Sequence, residues 1–140
     1  MLGRDEIMGI IPHRAPFLLL DRVTALEPGM RATGELDITE DAFWVPGHFP
    51  GHPVMPGVLI VEAMAQVGAV ALLSLPENQG RIAFFGGIDG VRFKRQVVPG
   101  DTLVMEIEIT KARARIGFGE ARATVDGQLA CSGTLMFALG

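Results

Sequence analysis

Between Gly47 and Leu73 the chain reads GHFPGHPVMPGVLIVEAMAQVGAVALL. The second part, Val58 to Leu73, is sixteen residues without a proline, apolar on every face except at Glu62 and Gln66. A helix that is apolar all round is normally a buried one, so this stretch predicts a central core helix. Pro56 suits a first helical position, where a missing N–H costs nothing, and Ser74-Leu75-Pro76 supplies the stop. Glu62 and Gln66 are four residues apart and share one face, so the only two polar side chains of the helix lie together. An unpaired buried carboxylate is expensive, so Glu62 must be either hydrogen-bonded and paired or held protonated.

Working outward, the loop before the helix carries His48 and His52 among Pro50, Pro53 and Pro56. The prolines exclude a helical turn from which both imidazoles could share a metal, and no cysteines or clustered acids complete a zinc site. A histidine here is better read as an acid or base. Alone, a loop histidine is usually structural and a core glutamate usually a satisfied polar group. Together, a histidine just ahead of a helix N-terminus and a glutamate one or two turns inside it are expected to converge on one small volume. Free N–H groups near Gly57 and Val58, at the positive end of the helix dipole, offer a site for developing negative charge. Gly57 brings no side chain to block a substrate oxygen.

Around this helix the sequence reads as antiparallel strands. Phe17 to Leu26 and Arg31 to Ile38 flank the turn signal Glu27-Pro28-Gly29. Leu103, Met105, Ile107 and Ile109 alternate with charged residues, and Asp126-Gly127 separates Glu120 to Val125 from Gln128 to Phe137 as a two-residue hairpin loop. One buried helix with five or six strands is an α+β layout, most simply packed as a curved antiparallel sheet wrapped around one long central helix. The 140 residues, 49% hydrophobic, without repeats or low-complexity tracts, read as one domain over residues 1–140. No apolar run is long enough to span a bilayer and no signal-peptide pattern opens the chain, so the cytoplasm is expected. Cys131 is the only cysteine, placed among small and apolar residues as a core filler.

These motifs, with PHRAPFLLLDRV at Pro12 to Val23, GIDGVRFKRQVVPGD at Gly87 to Asp101 and ATVDGQLACSGTLMF from Ala123 to Phe137, closely resemble the beta-hydroxyacyl-acyl carrier protein dehydratases of bacterial fatty acid synthesis, FabZ type. The resemblance is nearly full length and implies the hotdog fold. It also implies His48 and Glu62 as the catalytic pair, dehydration of a 3-hydroxyacyl thioester to the trans-2-enoyl product, and no metal or redox cofactor. The sister FabA type, which also isomerises, has aspartate at the glutamate position; this chain has Glu62, favouring the plain dehydratase over one that also makes cis-3 product. Where the family often has Phe-Phe-Gln before the glycine and histidine, this chain has Trp44-Val45-Pro46, a departure that bears on the acyl tunnel near His48.

The resemblance further implies dimers in which the histidine of one chain faces the glutamate of the other, assembled as trimers of dimers. In this chemistry His48 removes the C2 proton, N–H groups at Gly57 or Val58 hold the thioester oxygen, Glu62 assists departure of water and Gln66 positions it. The acidic acyl carrier protein asks for a local basic patch despite a net charge of -4. Arg92, Lys94 and Arg95 are candidates, the first two sharing a face if VRFKR is a strand, with Arg113 and Arg115 as a second set; the alternative is a merely solvated strand face. The His13-Arg14 pair either forms part of a tunnel mouth or fixes a turn, the turn being preferred. A thioesterase of the same fold could use Glu62 alone but gives His48 no task. An acyl-thioester sensor needs an output module, for which no residues remain.

Overall fold

The computed structural model describes residues 1–140. Along the chain lie α1 (Arg4–Met8), β1 (Arg22–Glu27), β2 (Arg31–Asp37), α2 (Gly57–Leu73), β3 (Ala83–Phe93), β4 (Thr102–Arg113), β5 (Ile116–Val125) and β6 (Gln128–Leu139), with a 3-10 turn at Pro76–Asn78. The strands form one antiparallel sheet in the order β1-β2-β4-β5-β6-β3. The sheet wraps α2, which is the hotdog fold.

The hairpins follow from turn chemistry. Glu27 pairs with Arg31 around a turn in which Gly29 takes φ +76. Asp126 and Gly127 both adopt positive φ, as a two-residue turn matching the strand twist requires, and pair Val125 with Gln128. Leu103, Met105 and Ile107 of β4 are buried while Glu106 and Glu108 are exposed, the alternation of a sheet with one face on the core.

From Ile60 onward α2 is almost wholly buried, packed against Ile107 and Phe137 of the sheet. Small residues let it sit close. A Cβ on Gly68 would lie 2.5 Å from the Phe137 ring, and one on Gly34 would lie 2.9 Å from Val67. The first turn of α2 is different, since Val58 is 75% exposed.

Three local readings change, and one short element had no reading from the sequence. Phe17 to Leu20 is irregular and the strand begins at Arg22, because Leu18, Leu19 and Leu20 are all buried and the Phe17 carbonyl and Leu19 N–H bond the Gln66 side chain instead of a strand. β3 ends at Phe93, so Lys94 and Arg95 lie beyond the strand. Pro56 is the N-cap of α2 rather than its first residue, its carbonyl accepting from Leu59 and Ile60. The five-residue α1, which carries no long apolar periodicity, is recognisable only afterwards from Glu6 accepting the Gly3 N–H.

Candidate active site

Phe49-Pro50-Gly51-His52 is a turn with proline second and glycine third, Gly51 at φ +74, the residues a type II turn demands. It is closed in both directions, His52 N–H to the Phe49 carbonyl at 2.8 Å and Phe49 N–H to the His52 carbonyl at 3.0 Å. His48 enters this turn with its own N–H on the Trp44 carbonyl (3.0 Å) and its carbonyl accepting from Val54 N–H (2.8 Å). The imidazole is fixed by a third bond, Nδ1 to the Val54 carbonyl at 2.7 Å, and its ring stacks on Phe49 with centroids 4.0 Å apart. A carbonyl can only accept, so Nδ1 carries a hydrogen, and in the neutral ring the lone pair is on Nε2. The loop thus fixes the orientation of the imidazole and leaves Nε2 without a partner in the chain.

His48 opens onto a cavity of about 580 Å³ whose walls include Gly57, Val58, Phe93 and Lys94. Gly57 and Val58 are the first two residues of α2, so their N–H groups have no partner within the helix and stand at its positive end. Gly57 is required by packing as well, because a Cβ there would come within 2.7 Å of the Phe93 ring.

Glu62 lies one turn further along α2 and lines a different cavity, of about 280 Å³, walled by Phe17, Ala65, Ala69, Phe85 and Phe137 together with His13. Within one chain, therefore, His48 and Glu62 do not converge on one volume. The helix carries Glu62 onto a face turned from the His48 loop. Glu62 is hydrogen-bonded rather than isolated: Gln66 Nε2 donates to its Oε2 at 2.8 Å. Gln66 itself is 1% exposed and fully engaged, donating also to the Phe17 carbonyl (2.7 Å) and accepting from Leu19 N–H (2.7 Å). No donor is left over for a substrate or a water, so Gln66 positions Glu62 and ties the Phe17 segment to the helix.

The residues around the site divide similarly. Arg14 does fix a turn, its guanidinium donating to the carbonyls of Met8, Ile11 and His13. His13, by contrast, faces Glu62, with Nε2 at 3.6 Å from Oε2. Burial holds the His13 imidazole below its ordinary value, opposed by the nearby Glu62 carboxylate and reinforced by Arg14. The sequence offered His13 as part of a tunnel mouth or of a turn, with the turn preferred, and gave Phe93 no place in the site. Lys94 and Arg95 border the His48 cavity and Arg92 does not. Arg95 is committed to the Val125 carbonyl at 3.0 Å and lies 3.9 Å from Asp101. Arg113 ends β4 and Arg115 sits in the β4–β5 turn, away from both cavities. Trp44 is buried and borders another cavity, beside Arg4 and Leu36, and none of Trp44, Val45 and Pro46 lines the cavity of His48 or that of Glu62.

The fold recurs in the dehydratase heterocomplex ApeI:P from Xenorhabdus doucetiae, with a TM-score of 0.83 at 19% identity over 96% of this chain and 90% of that one. It recurs also in a hypothetical thioesterase protein with coenzyme A from Streptococcus pneumoniae, with a TM-score of 0.67 at 10% identity over 85% and 84%. At the level of class, residues 11–134 match the model of the FabA-like domain. Two 3-hydroxyacyl-[acyl-carrier-protein] dehydratases named FabZ narrow this. The protein of Roseiflexus castenholzii is 64% identical over 99% of this chain and 97% of its own length, and that of Bacillus velezensis 59% identical over 100% and 99%. The chain belongs to the FabZ family of 3-hydroxyacyl-[acyl-carrier-protein] dehydratases.

Proposed function

We propose that this protein dehydrates (3R)-3-hydroxyacyl thioesters of acyl carrier protein to trans-2-enoyl thioesters, in the elongation cycle of bacterial type II fatty acid synthesis, with His48 as base and Glu62 as acid. The observation that carries the mechanism is the His48 Nδ1 bond to the Val54 carbonyl, which aims a basic Nε2 into a cavity walled by the free N–H groups of α2. The C2 proton of a thioester is weakly acidic, and its removal places negative charge on the thioester oxygen. The N–H groups of Gly57 or Val58 receive that charge. As the C2–H electrons form the double bond, the C3–O bond breaks and Glu62 delivers a proton to the departing hydroxyl, which leaves as water. Hydration runs through the same groups in reverse, and neither a metal nor a redox cofactor is called for.

The separation of His48 and Glu62 supports a site shared between two copies, the histidine of one meeting the glutamate of the other. β3 supports the same reading. It is an edge strand, hydrogen-bonded only to β6, and exposes Phe84, Phe85, Ile88 and Phe93 in an eleven-residue span. An exposed edge with a large apolar face calls for a partner, and a second copy of β3 matches it in length and character. Further assembly of such dimers into a hexamer follows the family pattern. Lys94, exposed at the border of the His48 cavity, is the best placed of the basic residues to meet an acidic carrier protein, with Arg92 beside it and Arg95 holding the segment. A cytoplasmic location suits this substrate, and no helix is long and apolar enough to cross a membrane.

The deciding experiment is dehydration of a 3-hydroxyacyl carrier-protein thioester by the wild type, His48→Ala and Glu62→Gln, with trans-2 and cis-3 products resolved by chromatography. Each substitution is expected to lower kcat by about 100-fold or more, with trans-2 product predominating. A wild type that hydrolyses the thioester, or binds it without reaction, overturns the reading.

A further inference from the structure

Glu62 has two polar neighbours, and both address the same oxygen: Gln66 Nε2 at 2.8 Å from Oε2, and His13 Nε2 at 3.6 Å from that Oε2. On the other side of the His13 ring, Nδ1 is buried with no hydrogen-bond partner. A buried N–H without an acceptor is more costly than one aimed at a carboxylate, so the ring hydrogen belongs on Nε2, facing Glu62. At 3.6 Å that bond is not yet formed, and catalytic hydrogen bonds of this kind commonly tighten only when substrate is bound. The ring is held in place by the turn that Arg14 pins to three carbonyls, and it lines the small cavity into which Glu62 points.

We propose that His13 is a positioning residue for the acid step: with Gln66 it occupies Oε2 of Glu62 with N–H donors, so that Oε1 is the oxygen that carries the proton and meets the C3 hydroxyl. A carboxylic acid bears its proton on one oxygen and accepts at the other, and two donors converging on Oε2 leave Oε1 for the proton. Neutrality of the ring matters to this role, because an imidazolium at the same place would pair with Glu62 as a carboxylate and remove the acid. Burial keeps the ring neutral despite that attraction, and Arg14 acts in the same direction. The inference rests on Glu62 being the acid, as proposed above.

Steady-state dehydration kinetics of the full-length protein test it, with folding checked by circular dichroism. His13→Phe keeps a flat aromatic ring, somewhat larger, and withdraws the donor, and His13→Gln restores an N–H the same number of bonds from the backbone. The expected result is a kcat for His13→Phe about 10-fold to 100-fold below wild type, as for a misoriented reacting group, with KM little changed and most of kcat recovered in His13→Gln. Equal loss in the two variants, a loss confined to KM, or full activity in His13→Phe overturns the proposal. Should His13→Phe not fold, His13→Asn, whose amide stands one bond short, replaces it in the same comparison with His13→Gln. Glu62→Gln is run alongside. If that variant keeps wild-type activity, the acid assignment falls and this inference with it; if it is inactive while His13→Phe is unimpaired, only the positioning role falls.

Discussion

At the scale of single residues, burial sets the chemistry of the two groups outside the main reaction. Cys131 is fully buried and its thiol is pushed up to about 11, so almost none of it is thiolate at neutral pH. The expected outcome is negligible labelling by iodoacetamide at about pH 8 until denaturant is added, followed by mass spectrometry. For His13 the sign is fixed by the direction of the shift. Its folded value lies below the ordinary 6.5, so between the two the unfolded chain binds the extra proton and the native state does not. The stabilisation associated with a neutral His13 is complete above 6.5 and is lost as pH falls through the depressed value. The thermal midpoint of the wild type should therefore drop from neutral to acidic pH by more than that of His13→Gln, measured by calorimetry across the same buffers. Neither Glu62 nor Arg14, the two charges acting on the ring, is altered by that substitution.

At the scale of elements, the contact between α2 and the sheet depends on missing side chains. Alanine at Gly68 would gain helix propensity of about 1 kcal/mol. Its Cβ, however, would stand 2.5 Å from Phe137 Cζ and 3.2 Å from Ile107 Cδ1, both buried. Overpacking of this kind costs about 1–3 kcal/mol, so Gly68→Ala should be net destabilised, read as a lower urea midpoint with unchanged slope. The helix itself was legible in the sequence because its apolar run is long and ends in proline on both sides. The Phe17 to Leu20 segment was misread because four apolar residues resemble a strand, while its backbone is claimed by Gln66 across 49 residues of sequence, a pairing no local pattern encodes.

At the scale of the whole molecule, the prediction concerns which copies supply the catalytic groups. His48→Ala and Glu62→Gln should each be inactive alone, yet a mixture unfolded and refolded together should regain about a quarter of wild-type activity, since half of randomly formed dimers are mixed and each mixed dimer has one complete site of two. A mixture that stays inactive while mixed dimers are demonstrated by native mass spectrometry would place both groups in one chain's site. In the same spirit, Ile88→Glu on the exposed face of β3 should shift the protein to monomer in sedimentation and remove activity, since a charge there is desolvated in a paired edge.

By itself the sequence determined the central helix, the hairpin at Asp126-Gly127 and the α+β class, and it singled out the two residues to which we assign the chemistry. Each of these rests on local information: apolar periodicity, the backbone freedom of glycine, the rigidity of proline, and a motif compact enough to read in twenty residues. Only the tertiary structure decided the strand order, the tautomer of His48 through the Val54 carbonyl, the consumption of Gln66 by Phe17 and Leu19, the approach of His13 to Glu62, and the separation of His48 from Glu62. Those are relations between groups distant in sequence or opposed across a helix, and their geometry is set by how the sheet closes on α2 rather than by the identity of any residue alone.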